Sequence, residues 1–268
     1  MAINFDNYIF NTIDRFTFKS GVGADIYFLA EDLQNFKLTN GEETVYGTGK
    51  AGRRISAIKR NKTAGISFDN GFVSMSQMSA QTGSDITVAD TTATILSPYV
   101  DVIKAGTGGT SAATTYKAEG TAGAEIKLIY KRNSDGSQGD KYVQAATASA
   151  TEFSYAPETK ALTLPTGIFA EGDELILTYE YKTKGKQLAN SGDTFSKNGM
   201  GILEATVTSA CDKETIYYAR FIFNDLAASG QYEIGLGGDQ TINSFTAESL
   251  PNFCRGGSFW NFIIPIED

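Results

Sequence analysis

The sequence specifies a mainly β protein, and three observations point to that class. Short runs rich in β-branched and aromatic residues recur along the chain, separated by turn formers. The 28 glycines are dispersed without a collagen-like period and only 5 prolines occur, a composition of many tight turns rather than of disorder. The 17 Phe and 13 Tyr suit pleated, half-buried surfaces. At 268 residues the chain can form one large or two small domains, each burying its own core.

Three regions are predicted. In the first, Met1 to about Thr94, strands are expected at Ala24–Leu29, Ile55–Ile58 and Thr63–Phe68, with a turn at Arg60-Asn61-Lys62 between the last two. Polar residues separate the first strand from the second, and Thr39–Arg54 reads as a long charged loop. Phe72, Met75 and Met78 lie at three-residue spacing, so one short amphipathic helix is predicted over 70–83. Asp69 or Asn70 would cap its start and Gly83 its end.

The middle region, about 95–190, reads as strand and turn. Strands are expected at Pro98–Lys104, Glu125–Arg132, Tyr142–Ala146, Glu152–Ala156, Ala161–Pro165 and Asp173–Thr183. Asn133–Gly136 and Pro157–Lys160 are hairpin turns, and the Gly/Thr/Ala-rich tracts at 105–123 and 145–151 are loops. The last region returns to strands at Gly201–Thr208, Thr215–Phe223, Tyr232–Leu236, Thr241–Thr246 and Phe259–Ile264. The scheme is a discontinuous outer β domain, 1–94 plus 191–268, carrying an inserted sandwich-like β domain, 95–190. No short repeat suggests a solenoid or propeller.

Composition narrows the function. The formal charge is −8, which argues against a general nucleic-acid binder, since those carry a basic face. Histidine is absent, which removes the commonest general base near neutrality and the commonest transition-metal ligand. Cys211 and Cys254 fit no zinc spacing and no disulfide framework. No apolar run approaches the roughly 20 residues of a membrane span, and the first residues lack the basic start of a secretory signal. Synthesis in a reducing cytoplasm is expected, with no cofactor and no metal.

Four motifs need weighing. Gly47-Thr-Gly-Lys-Ala-Gly52 matches G-x-G-x-x-G, but the residues after it look like a strand rather than a helix, so dinucleotide binding is not expected. Asn133–Asp140 alternates oxygen donors like a calcium loop yet lacks the closing Glu. Glu171-Gly-Asp-Glu174 is an acidic cluster just before a strand, where turn residues are commoner than catalytic pairs. Lys50, Arg53, Arg54, Lys59, Arg60 and Lys62 form a basic run with no acid between Glu43 and Asp69. That run is either a solvated strand face or a patch that docks on an acidic partner surface.

Two stretches carry a resemblance. Ile55 to Phe68 followed by a short helix ending at Thr82-Gly83, and the closing stretch from Phe221-Ile-Phe223 through Gly235–Glu248 to Phe259–Ile264, resemble the tail tube and major tail proteins of long-tailed bacteriophages. The resemblance implies a β-sandwich or barrel-like subunit with one flanking helix, in hexameric rings stacked into a hollow tube. It implies a non-enzymatic virion tail protein made in the host bacterial cytoplasm. Its partners would be copies of itself, other tail proteins, and a tape-measure protein and DNA passing through the lumen without specific binding, with no membrane. The basic run is then a candidate subunit interface. Two alternatives stay open at this point. One is a capsid or head-decoration protein. The other is a carbohydrate-binding adhesive β-sandwich in which exposed tyrosines and Trp260 stack on sugar.

Overall fold

The computed structural model describes residues 7–210, 214–235, 242–251 and 257–265. The first strands are β1 (Tyr8–Lys19), β2 (Ile26–Ala30), β3 (Leu33–Thr48) and β4 (Arg54–Asn70), followed by helix α1 (Met75–Thr82). Next come β5 (Ile86–Ala89), β6 (Ile95–Lys104), β7 (Ser111–Ala113), β8 (Leu128–Arg132), β9 (Gln138–Gln144), β10 (Glu152–Ala156) and β11 (Ala161–Thr163). The remainder are β12 (Glu174–Thr183), β13 (Gly185–Leu188), β14 (Asn198–Ser209), β15 (Ile216–Ala228), β16 (Ile234–Gly235), β17 (Ile242–Ser249) and β18 (Asn261–Ile263). The fold is mainly β, with curled sheets of half-barrel form. The chain packs as two compact units, one spanning Thr87–Gln187 and the other built from the segments up to Ile86 and from Leu188 onward.

The two-segment unit is organised by a nine-stranded sheet. Its main path runs β2-β1-β14-β15-β17-β4-β3, with β16 on β17 and β18 on β15. Alternation along the strands decides which face is covered. On β4, Ala64, Ile66 and Phe68 are buried while Gly65, Ser67 and Asp69 turn the other way, and on β17 Phe245 and Ala247 alternate with Thr246 and Glu248. The buried face gathers Phe16, Phe18, Phe28, Phe68 and Phe245 from four strands, all below 4% exposure. The Phe245 ring lies 5.1 Å from both Phe28 and Phe68, and 5.7–5.8 Å from Phe16 and Phe18. Stacked, tilted and edge-on rings at this spacing add about 0.5–1.5 kcal/mol per pair to the area they bury.

Helix α1 differs from the amphipathic helix expected. Ser74, not Asp69 or Asn70, is the N-cap, accepting from the Gln77 amide. Phe72 precedes the helix and is exposed. The face turned to the sheet is polar: Gln77, Ser79, Gln81 and Thr82 are buried with Ala80. Gln77 Nε2 donates to the carbonyls of Asn243 (3.2 Å) and Ser244 (3.3 Å), and Gln81 Nε2 donates to Ser244 O at 2.9 Å. The Asn70 side chain donates to Gln77 Oε1 at 3.0 Å. The helix is held to β17 by amide hydrogen bonds, so a search for apolar spacing finds the element but picks the wrong face. Gly83 ends it as expected, in the left-handed region at φ 74°. A Cβ there would also overlap the Phe195 carbonyl.

Other expectations change as well. β1 and β3 fall in stretches that lack a clear strand pattern because much of each faces solvent. Arg60-Asn61-Lys62 is not a turn: β4 runs straight through it. The register steps from Gly41 opposite Thr63 to Glu43 opposite Arg60, so β4 carries one extra residue, a β-bulge. Asn61 sits there at φ 52°, a conformation Asn tolerates better than most residues. Thr39–Arg54 is strand and tight turn rather than a long loop. Cys211, Cys254 and residues 236–241 of the closing stretch lie outside the described residues.

The Thr87–Gln187 unit holds a seven-stranded sheet in the order β6-β12-β8-β9-β10-β11-β7. Its core contains Ile126, Ile129, Phe153, Leu162, Leu164, Leu175 and Leu177. Part of the 105–123 tract proves structural: β7 pairs with β11, and Gly106 N donates to Ser111 O at 2.7 Å, bringing β7 back beside β6. Asp101 is buried and accepts from the Tyr179 hydroxyl (2.8 Å) and from the Thr115 amide and hydroxyl. Burial raises the Tyr179 phenol above its ordinary pKa, and bonding to the nearby carboxylate adds to the shift. Asn133–Gly136 and Pro157–Lys160 are the hairpin turns expected, joining β8 to β9 and β10 to β11.

Truncating the ring at the centre of the first core and removing the amide clamp give separable losses. Phe245→Ala is expected to cost about 3–5 kcal/mol. Gln77→Leu removes the amide that bonds the Asn243 carbonyl and the Asn70 side chain and is expected to cost about 1–3 kcal/mol. Chemical denaturation of each variant checks both. A Gln77→Leu protein as stable as the wild type contradicts the amide account of α1.

Candidate assembly site

Among the described residues of the two-segment unit, the longest unbroken exposed stretch of strand is in the outer part of the β3–β4 hairpin. The two strands pair from Leu33–Asn70 to Thr48–Arg54. From Ala64 to Asn70, β4 lies on the core, whereas every residue from Arg54 to Thr63 is exposed. At ~3.3 Å per residue, this bare part of β4 reaches about 30 Å. A two-stranded ribbon without a face to pack on is marginal in water, so this arm needs either internal pairing or a partner.

Some pairing is internal. Lys59 meets Glu42 at 2.5 Å, Arg60 meets Glu43 at 3.0 Å, and Asn61 Nδ2 donates to Glu43 at 2.6 Å. Arg60, and after it Asn61, holds Glu43 below the usual carboxylate range. Arg54 lies 4.0 Å above the Tyr46 ring, a cation–π contact, and Lys62 is 6.0 Å from the Phe259 ring. The end of the arm is a tight turn in which Gly49 N donates to Arg53 O at 2.7 Å. Ala51 and Gly52 are both left-handed there. Lys50 and Arg53 project at this turn, within or beside Lys50–Gly52. Of the six basic residues singled out, Lys59 and Arg60 are thus matched to acids on the opposite strand, Lys50, Arg53 and Arg54 lie at the tip, and Lys62 stands at the core end of the exposed stretch. Ile55 and Ile58 are 73% and 62% exposed between them, which gives the arm an apolar as well as a cationic surface.

The remaining motifs resolve into structure. Gly47–Gly52 belongs to the hairpin end and opens no α-helix. In the Asn133–Asp140 loop, Asp135 accepts from the amide and hydroxyl of Ser137, which hold it below its ordinary pKa. Asp173, in the turn, pairs with Lys131 at 2.6 Å, and Glu174, the first residue of β12, pairs with Arg132 at 2.8 Å. Among the described residues, no three His, Cys, Asp or Glu side chains converge as a metal site. Trp260 is half-buried, edge-on to Phe221 with ring centroids 5.6 Å apart.

Two features lie beyond what the sequence signalled. Arg15, Glu204 and Arg220 line up across β1, β14 and β15, the glutamate bonded to both guanidinium groups. Nothing in the sequence joins residues so far apart. The sheet path also leaves β2 and β3 as its outermost strands, and open strand edges are templates for pairing with another chain.

Over residues 9–254 the chain matches the YomU/Tube protein family, and it belongs to that family. This is a family of phage-derived tube proteins, and the chain is accordingly a structural tube protein of the virion tail. No curated protein matches the chain. Among the described residues, no helix is long and apolar enough to cross a membrane.

The arm gives a local test. Since the Glu43 pKa is lowered on folding, the pairing it provides is present above the unfolded pKa and is lost as pH falls through the folded value. Hydrogen exchange of arm amides, corrected for intrinsic rate, is expected to lose protection on acidification, and Glu43→Gln is expected to remove that dependence. Asn61→Val forces a β-branched residue into the left-handed region, at about 1–3 kcal/mol. It should deprotect the arm without moving the global denaturation midpoint. Unchanged exchange in both variants contradicts this account of the bulge.

Proposed function

We propose that the chain is the tail tube subunit of a long-tailed phage, polymerising as hexameric rings stacked into a hollow tube that conducts DNA to the host. The observation that carries this reading is the match of residues 9–254 to a tube protein family. The physical features agree with it. Edge addition between β2 of one copy and β3 of the next would satisfy backbone groups that otherwise face water, and repeated around a ring it would leave no open edge. The arm would lie across a neighbouring copy. There Lys50, Arg53, Arg54, Lys59, Arg60 and Lys62 would meet carboxylates of a protein whose net charge is −8. Lys50, Arg53 and Arg54 would form these contacts first, because Lys59 and Arg60 already have partners in their own arm. Such pairs set register and encounter rate more than raw affinity.

The same acidic balance suits a channel, since a surface repelling phosphate lets DNA slide. In this reading the genome and a tape-measure protein occupy the lumen without specific contacts, other tail proteins join the tube ends, and subunits are made in the host bacterial cytoplasm. No catalytic step is part of the function. The inserted unit, Thr87–Gln187, has a core of its own and in this proposal lies away from the pore.

Negative-stain microscopy of the purified protein is expected to show hollow tubes with six subunits per ring. A protein that stays near 29 kDa at high concentration, with no such polymer in virions, overturns the reading. Charge reversal at Arg53 and Arg54 is expected to slow polymerisation and make it strongly salt-dependent while the monomer melts as before. Assembly indistinguishable from wild type across a range of salt means the basic run is only a solvated surface.

Replacing Thr87–Gln187 by a short flexible linker is expected to leave a protein that still forms tubes. Failure of the remaining segments to fold rejects the independence of the inserted unit.

A further inference from the structure

Helix α1 turns its apolar side away from the core. Gln77, Ala80 and Gln81 face the sheet, where the glutamine amides bond the carbonyls of β17. At about 3.6 residues per turn, Met75 and Met78 fall away from that side, and both are only half-buried. Phe72 and Val73, just before the helix, are 66% and 47% exposed, and Phe195 is 83% exposed. Phe195 belongs to the same surface, because its backbone packs against Gly83 and the Lys197 amide donates to Ala80 O at 2.8 Å. The two most exposed phenylalanines among the described residues thus stand at the two ends of one helix. Methionine suits a surface of this kind, since its unbranched thioether adapts to a partner.

Acids stand at both ends of this surface, and α1 itself carries no charge. Asp32 lies against Gly71, next to Phe72. Asp85 and Asp193 lie at the other end, beside the contact of Ser84 Oγ with Thr194 Oγ1 at 2.9 Å. Lys197 is bonded there to Asp85 at 3.3 Å, so one carboxylate at each end, Asp32 and Asp193, has no ion-pair partner among the described residues. The arm carries the matching chemistry. Lys50, Arg53 and Arg54 crowd its tip, and Ile55 and Ile58 are open beside them. Ile55 occupies an extra position where the register passes from Gly47–Ser56 to Thr48–Arg54, a bulge that re-aims its side chain out of strict alternation. The two isoleucines span about 10 Å of strand, close to the ~12 Å length of α1.

The arm of the same copy does not reach this surface. Its tip and α1 lie beyond opposite ends of β4, Arg54 and Asn70, which stand roughly 50 Å apart along the strand. We infer that the outward side of α1 is the seat for the arm of another copy, where Ile55 and Ile58 meet Phe72, Met78 and Phe195 and the tip cations meet carboxylate. Because both ends are acidic, that charge match holds in either direction of the arm. The inference rests on the reading that the arm lies across a neighbouring copy, and it adds where the arm lands. Burial of side chains that are open in the free chain supplies affinity, and the charges guide the approach. Arm and seat are different surfaces, so the contact is heterologous, and a copy that receives an arm still offers its own.

Thiol cross-linking of the full-length protein, with Cys211 and Cys254 replaced by serine, tests it. Ile55→Cys is made in one preparation and Phe72→Cys or Phe195→Cys in another. All three side chains are exposed, so an unchanged melting temperature is expected. A short bis-maleimide is expected to join arm to seat in the mixture at one of the two seat positions, and to join nothing in either preparation alone. Phe72→Ser with Phe195→Ser is expected to raise the concentration needed for assembly about tenfold while the monomer melts as before. No cross-link at either seat position in the mixture, or the same cross-link within a single preparation, overturns the proposal. If the cross-link fails while reversal of Arg53 and Arg54 still slows assembly, the arm lands elsewhere and only this inference falls. A cross-link confined to the mixture in a protein that forms no tubes rejects the tube reading and leaves this contact standing.

Discussion

The two-segment unit depends on one meeting of aromatic rings. Phe16 and Phe18 come from β1, Phe28 from β2, Phe68 from β4 and Phe245 from β17, and Phe245 touches the other four. No single stretch of chain supplies enough of these rings to exclude water alone. The early and late segments must come together, and burial of about five phenylalanines, at roughly 1.5–3 kcal/mol each, makes that meeting favourable despite the loop closed between them. Loop closure grows only logarithmically with length. A whole unit can therefore sit between Ile86 and Leu188 without abolishing the core.

Once that core is set, the rest of the sheet has little freedom. β17 is fixed by Phe245, and its carbonyls at Asn243 and Ser244 present acceptors that two helical glutamines can reach. Helix α1 consequently docks by hydrogen bonds, which are directional, and its capping residues define where it begins and ends. β4 is anchored by Ile66 and Phe68 and simply continues outward past the core edge with β3 beside it. The exposed arm is thus the overhang of strands whose inner halves belong to the hydrophobic core. It keeps its register through the bulge at Asn61 and the crossed Glu42–Lys59 and Glu43–Arg60 pairs.

The same logic separates the two kinds of surface the chain offers. The arm pairs most of its backbone groups with itself and exposes charge with isolated apolar side chains. The outer face of the inserted unit's sheet exposes Val100, Val102 and Val143, with Lys141 in the same cross-strand row as Val102. The first arrangement favours guided, salt-sensitive encounter. The second favours slow, area-driven contact, because desolvating apolar surface is non-directional.

Much of this was legible in the residues. Strand-rich segments such as Asp173–Thr183 and Thr215–Phe223 announce themselves because β-branched and aromatic side chains crowd them, and buried strands must carry such side chains; the continuation of β15 to Ala228 was not readable this way. The hairpin turns at Asn133–Gly136 and Pro157–Lys160, the stop at Gly83 and the basic run were readable for the same local reason. The membership of β1 and β3 in the sheet was not, since strands whose outer halves face water need no apolar alternation. Neither was the helix face that packs, because burial of Gln77 and Gln81 is paid for by carbonyls more than 160 residues away. Local composition determined the class of fold, the turns and the lack of histidine chemistry. Tertiary structure alone decided the bulge in place of a turn, the acids that meet Lys59 and Arg60, and the exposed valines of the inserted sheet. Each of those depends on strand register, and register exists only once distant segments have paired.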